Sequence, residues 1–191
     1  HAFATNHLVR LGIARKWEVN GGVDFSWGRN DFTGVAPYWD SQFTNYEVGV
    51  RHNLINGHGL IPALGANFSL FVPGNFNSFG QKIMITQSNR WKRFSVNGNF
   101  GFIHTRNFDT DVSSWSYPYV LNVGLNLVDN VTAFVEIYGV FENISNPLFD
   151  GGLVWNAKKN LSLDLFGGWT GDALTKSWFV EGGMTWRFDW R

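Results

Sequence analysis

The feature that most constrains this 191-residue chain is an alternation of apolar and polar side chains that recurs along nearly its whole length. Across Trp17–Gly28 one series reads Trp17, Val19, Gly21, Val23, Phe25, Trp27 and the other Glu18, Asn20, Gly22, Asp24, Ser26, Gly28. Successive side chains of a strand point to opposite faces, so a period of two means one apolar and one polar face. The closing segment repeats the split, with Trp178, Val180, Gly182, Met184, Trp186 and Phe188 against Glu181, Gly183, Thr185 and Arg187. Leu121, Val123, Leu125 and Leu127 separate in the same way from Asn122 and Asn126, and Phe94, Val96, Phe100 and Phe102 from Ser95, Asn97 and Asn99. No stretch carries the 3.6-residue stripe of an amphipathic helix. The chain is predicted to be all-β.

Eleven strands are expected, near 6–14, 17–29, 43–55, 60–72, 81–90, 93–105, 115–128, 131–142, 147–157, 160–170 and 176–190. Short connections are expected at Arg15-Lys16, Asn56-Gly57-His58-Gly59, Trp91-Lys92, Asp129-Asn130 and Lys158-Lys159, and longer ones over 30–42, 73–80, 106–114, 143–146 and 171–175. Short turns at one rim and long loops at the other belong to outer-membrane β-barrels. The expected fold is a transmembrane antiparallel up-and-down barrel forming one domain over residues 1–191. An odd strand count does not close a single-chain bacterial barrel. The intact barrel is therefore expected to have about twelve strands, with at least one lying before His1, unless the segment 81–90 is no strand.

A soluble barrel also alternates, with its apolar residues inside. Three features assign the apolar face to lipid. Trp17 and Trp27 share a face ten residues apart, which at the usual rise and tilt is roughly 26 Å along the axis and matches an apolar band between aromatic girdles. Trp178 and Phe188 repeat that spacing. Strands of ten or more residues are longer than soluble sheets use. The polar face carries paired charges, Asn, Ser and Gly rather than the Lys/Glu-rich covering of a soluble surface, in keeping with a chain of which only 16% is charged. The localisation expected is the outer membrane of a Gram-negative bacterium, with membrane lipid and lipopolysaccharide as partners.

The polar series supplies the candidate lumen-lining residues: Arg10, Glu18, Asp24, Glu47, Arg51, Asn97, Asn99, Asn122, Asn126, Glu136, Asp164, Glu181 and Arg187. Acidic groups outnumber arginines in this set, so a conducting pore should lean towards cations. Phe134 and Tyr138 flank Glu136 and are constriction candidates. The competing reading of Arg10, Arg51 and Arg187 is that they pair with neighbouring carboxylates and fill the interior. Zero net charge leaves no footprint for nucleic acid. Without cysteine there is no thiol nucleophile or thiolate metal site. His52 and His104 have no serine beside them on the polar face, so acyl-transfer chemistry is not expected. Asp109 and Asp111 read as a solvated loop rather than a calcium site. No cofactor and no catalysis are expected.

His7-Leu8-Val9-Arg10-Leu11-Gly12-Ile13-Ala14-Arg15-Lys16-Trp17-Glu18-Val19 is similar to the first hairpin of a family of outer-membrane transporters associated with the meta-pathway of phenol degradation. Lys159-Asn160-Leu161-Ser162-Leu163-Asp164, Trp178-Phe179-Val180-Glu181-Gly182-Gly183 and Trp186-Arg187-Phe188 are similar to its closing hairpin. In the family a strand precedes the first of these segments. Such barrels end on the aromatic of the last strand, whereas here Phe188 is followed by Asp189-Trp190-Arg191. The resemblance implies passage of small molecules, aromatic ones included. Two functions are compatible with this pattern. One is a narrow channel for small solutes. The other is a plugged, structural barrel that serves other envelope proteins, with Phe32–Gln42 and its Tyr38 and Trp39 as a docking or lumen-folding loop.

Overall fold

The computed structural model describes residues 2–30, 38–59, 61–144, 147–172 and 175–186. Long alternating runs become long strands: β1 (Ala2–Ala14), β2 (Trp17–Asn30), β3 (Tyr38–Ile55), β4 (Ala63–Pro73), β5 (Ser78–Trp91) and β6 (Phe94–Asn107). They continue as β7 (Ser113–Ser116), β8 (Pro118–Val128), β9 (Val131–Val140), β10 (Leu148–Lys158), β11 (Leu161–Asp172) and β12 (Thr175–Trp186). All twelve join one sheet in the order β1-β2-β3-β4-β5-β6-β8-β9-β10-β11-β12, with β7 paired to β6. Strand order equals chain order, so each strand is joined to its neighbour by a local connection, and the described ladders are antiparallel. Both β7 and β8 lie against β6, at Ile103–Arg106 and Phe94–Phe100 respectively. They are one stave interrupted at Tyr117. Pro118 has no N–H for the ladder, and at this break the Tyr117 N–H donates to the Glu142 carboxylate, 3.1 Å and 3.3 Å to its two oxygens.

Four connections match their expected tightness: β1–β2, β5–β6, β8–β9 and β10–β11 each leave two residues between strands. Three of these hairpins carry a register shift beside the turn, at Gly12/Ala14, Asn126/Val128 and Asn156/Lys158. In the β5–β6 turn Lys92 adopts a left-handed φ of 51°, which carries the tight reversal that Gly or Asn usually supplies. Other expectations need correction. The β3–β4 connection spans 56–62 and is closed by a His58–Ile61 bridge, because Pro62 cannot extend β4 backwards. Residues 171–172 and 175 lie in strands, so no long loop joins β11 to β12. Tyr38 and Trp39, expected in a loop, begin β3. Residues 73 and 78–80 likewise belong to strands, and a 3-10 turn, Phe141–Asn143, follows β9. Most of the expected 30–42 loop lies outside the described residues.

By internal contacts the chain divides into two compact units, His1–Leu54 with Gly65–Ile85 and Gly101–Ser116, and Ile55–Leu64 with Thr86–Phe100 and Tyr117–Arg191. In both, among the described residues, no apolar side chain is buried. The apolar face is the exposed one: Val135 is 64%, Leu165 61% and Trp178 80% accessible, and Val48, Leu121 and Leu153 join them. The polar face carries the less accessible positions, including Asn122, Glu136, Asp150 and Asp164. A soluble barrel would bury these two series the other way round. No helix of the described residues is long and apolar enough to cross a membrane.

Candidate functional site

Within the second unit the ladder registers align polar-face residues into rungs. One rung runs Asn97–Asn122–Glu136–Asp150–Gly168 across β6, β8, β9, β10 and β11. The next runs Ser95–Gly124–Phe134–Gly152–Phe166–Glu181. A third holds Asn126, Thr132, Val154, Asp164 and Gly183. Side chains of neighbouring rungs on one face lie within reach of one another.

Together these rungs line a cavity of about 400 Å³. Three carboxylates, Glu136, Asp150 and Asp164, face it alongside the amides of Asn97 and Asn122 and the hydroxyls of Ser95 and Thr132. Phe134, Phe166 and Val154 complete the wall, and no basic side chain lines it. The polar wall is wired together. Ser88 Oγ donates to Asn97 Oδ1 (2.7 Å), Asn97 Nδ2 to Asn122 Oδ1 (3.3 Å), and Asn122 Nδ2 to Glu136 Oε2 (3.2 Å). Beyond Glu136 stands Asp150, whose buried Oδ1 has no hydrogen-bond partner among the described residues. Thr132 Oγ1 donates to Asn126 Oδ1 at 2.9 Å.

Glycines make room for the larger inward groups. A Cβ at Gly152 would meet Phe166 Cβ at 2.5 Å, and one at Gly168 would meet the tip of the Phe179 ring at 2.5 Å. The Asp164 carboxylate lies over Gly183, directly opposite it in the ladder. The rings themselves form a row, Phe134 to Phe166 at 6.2 Å between centroids and Phe166 to Phe179 at 6.3 Å.

The polar face of the first unit is bridged instead. Lys82 Nζ on β5 meets Glu47 Oε2 on β3 at 2.6 Å, spanning β4, which lies between them in the sheet. Asn20 on β2 donates to Asn67 on β4 at 2.9 Å, across β3. Ser69 is fully buried there. Glu18 stands opposite Arg51, and Asp24 opposite Asn45. At Arg51 the Nε is buried without a partner among the described residues, and Lys82, which the alternation does not mark, pairs with Glu47. Arg10 is exposed opposite Asn20 on β1.

Of the expected polar-face residues, Asn97, Asn122, Glu136 and Asp164 meet in the cavity, with Phe134 beside them. Asn99 stands opposite Val120, which faces Tyr138, so both lie one rung away. Asn126 shares the rung of Thr132, and Glu181 is exposed opposite Phe166. Arg187 and Phe188 lie outside the described residues, as does the side chain of Trp27. Asp150 and Phe166 were missed, although each has the parity of its strand's polar series. On the apolar face the Trp17 and His52 rings lie 4.1 Å apart between centroids, inclined by 31°. Trp178 pairs with Trp169 towards one end of β11–β12, and Trp186 occupies the other end. The expected 106–114 loop shortens to 108–112 between β6 and β7; there Arg106 holds the Asp111 carboxylate at 2.6 Å, and the Asn107 side chain accepts the N–H groups of Asp109 and Thr110. Among the described residues no three His, Asp or Glu side chains are placed to hold one metal ion.

No protein-family profile matches the chain. No curated protein matches it in sequence either. The resemblance to phenol meta-pathway transporters is therefore not met at the level of family, and a preference for small aromatic solutes finds no support. Solved structures do match. The KdgM porin, determined in complex with disordered oligogalacturonate, superposes with a TM-score of 0.67 at 13% identity, over 97% of this chain and 92% of that one. The NanC porin superposes with a TM-score of 0.63 at 10% identity, over 98% and 94%. At these identities the likeness is one of fold: the chain has the antiparallel β-barrel architecture of small, twelve-stranded porins.

Proposed function

We propose that the chain is an outer-membrane channel for small polar solutes that favours cations and uncharged molecules over anions. The observation that carries this reading is the cavity itself: three carboxylates, two amides and two hydroxyls converge on about 400 Å³ with no base among them. In a barrel whose apolar face meets lipid, the polar face bounds the aqueous path, and rings of acidic side chains select cations. The KdgM porin was solved with a polyanionic sugar. The carboxylate wall here argues for a different cargo on the same fold, because like charges in a confined site repel. The solute is passed on unchanged.

A second reading, a plugged barrel that serves as a structural subunit of the envelope, is favoured by the first unit. There Glu47–Lys82 and Asn20–Asn67 reach across intervening strands and occupy the polar face. Recording from the purified protein in a planar bilayer separates the two. Stepwise conductance with a reversal potential of cation-selective sign is expected. A folded, inserted protein that passes no current would overturn the channel reading and leave the structural one.

A further inference from the structure

The carboxylates explain why a cation would enter the cavity, but not why phenyl rings face it. On a path that served hydrated alkali ions alone, inward phenylalanines would be dead area. Phe134, Phe166 and Phe179 instead form a row along the polar face. The row is built in: Phe166 and Phe179 occupy space that a Cβ at Gly152 or Gly168 would take. Glu181 stands opposite Phe166 in the ladder, so the row runs beside a fourth carboxylate.

We propose that this row and its carboxylates form a recognition site for small organic ammonium ions. The inference rests on the channel reading and names its solute class. Such an ion carries a diffuse positive charge on an apolar body. Phenyl faces attract it through the ring quadrupole, while the carboxylates supply the counter-charge. A hydrated sodium or potassium ion gains from the carboxylates alone, since its water shell separates it from the rings. A flat aromatic solute gains little, because neighbouring rings are inclined by 54° and 83° and leave no parallel slot to stack into. An acidic sugar is repelled by Glu136, Asp150 and Asp164. The cavity volume falls within the range of small-molecule sites and far exceeds that of a bare ion.

Choline serves as the probe, with potassium, glucose and galacturonate as comparisons. Titration calorimetry of the detergent-folded full chain should show choline binding in competition with a large excess of potassium, and no binding of galacturonate. Phe166→Leu keeps the apolar volume and removes the ring face, so it should weaken choline about five- to tenfold. Phe134→Leu provides the same test should Phe166→Leu fail to fold. Choline that binds no better than potassium, or equally well to the leucine variants, overturns the inference even if the channel conducts. A silent channel that still binds choline with ring-dependent affinity overturns passage and upholds the site.

Discussion

Glu136→Gln isolates one charge of the cavity while keeping the shape of the side chain. Its Oε2 accepts from Asn122, and a glutamine oxygen can accept the same bond, so the fold should survive. An ion passing at about 5 Å gains or loses about 0.8 kcal/mol from one carboxylate in water. Screening at 0.1 M salt trims this to about 0.5 kcal/mol. Cations gain what anions lose, so the two are separated by about 1 kcal/mol, a factor of about five in the permeability ratio. Under a tenfold potassium chloride gradient this moves the reversal potential by roughly 25 mV towards zero. Single-channel recording of both proteins at matched insertion reads the shift directly. An unchanged reversal potential at unchanged conductance would refute the assignment of Glu136 to the ion path.

Three further outcomes follow from the geometry. Gly168→Val puts a Cβ 2.5 Å from the Phe149 carbonyl oxygen and from the Phe179 ring, and should cost about 1–3 kcal/mol. Gly182→Val, whose Cβ meets only Asp164 O at 3.6 Å, should be tolerated; equal midpoints in urea unfolding would contradict the packing described. Val135→Arg places a charge on the exposed apolar face midway along β9 and should destabilise folding into vesicles by about 2–4 kcal/mol. No penalty there would mean that this face does not meet lipid. For Glu47 and Lys82, a double-mutant cycle with Glu47→Gln and Lys82→Met should give a coupling of about 1–2 kcal/mol, above that of exposed pairs. A coupling near zero would show the 2.6 Å contact to be incidental.

Most of the strand pattern was legible because two-residue periodicity is a local property, read in β2 and β8 from the chain itself. Asn97, Asn122, Glu136 and Asp164 followed from that parity. The site as an assembly was not legible, because it depends on register, and register is set between strands. Asp150 was overlooked because Gly151-Gly152 and the inward Val154 blur the alternation of β10. Phe166 was overlooked because an apolar residue on a polar face reads as noise until its seat on Gly152 is seen. The link between Glu47 and Lys82 joins strands separated by a third, 35 residues apart in sequence, and no local pattern encodes it. Loop lengths were read least well, since Tyr38 and Trp39 lengthen β3 without alternation to mark its start.

The run from Ser88 through Asn97 and Asn122 to Glu136 has a direction. A carboxylate only accepts, so Asn122 must turn its amino end to Glu136, which leaves its oxygen facing Asn97. Asn97 then presents its own oxygen to the Ser88 hydroxyl. One ionised group thereby orders two amides and a hydroxyl over four strands, with every donor aimed the same way. In Glu136→Gln the last member has a donor end and an acceptor end of its own, and either orientation of the whole row satisfies the same number of bonds. The negative charge therefore acts as a compass as well as a counter-ion: it keeps the polar wall in one arrangement, where an uncharged wall of the same size would have two.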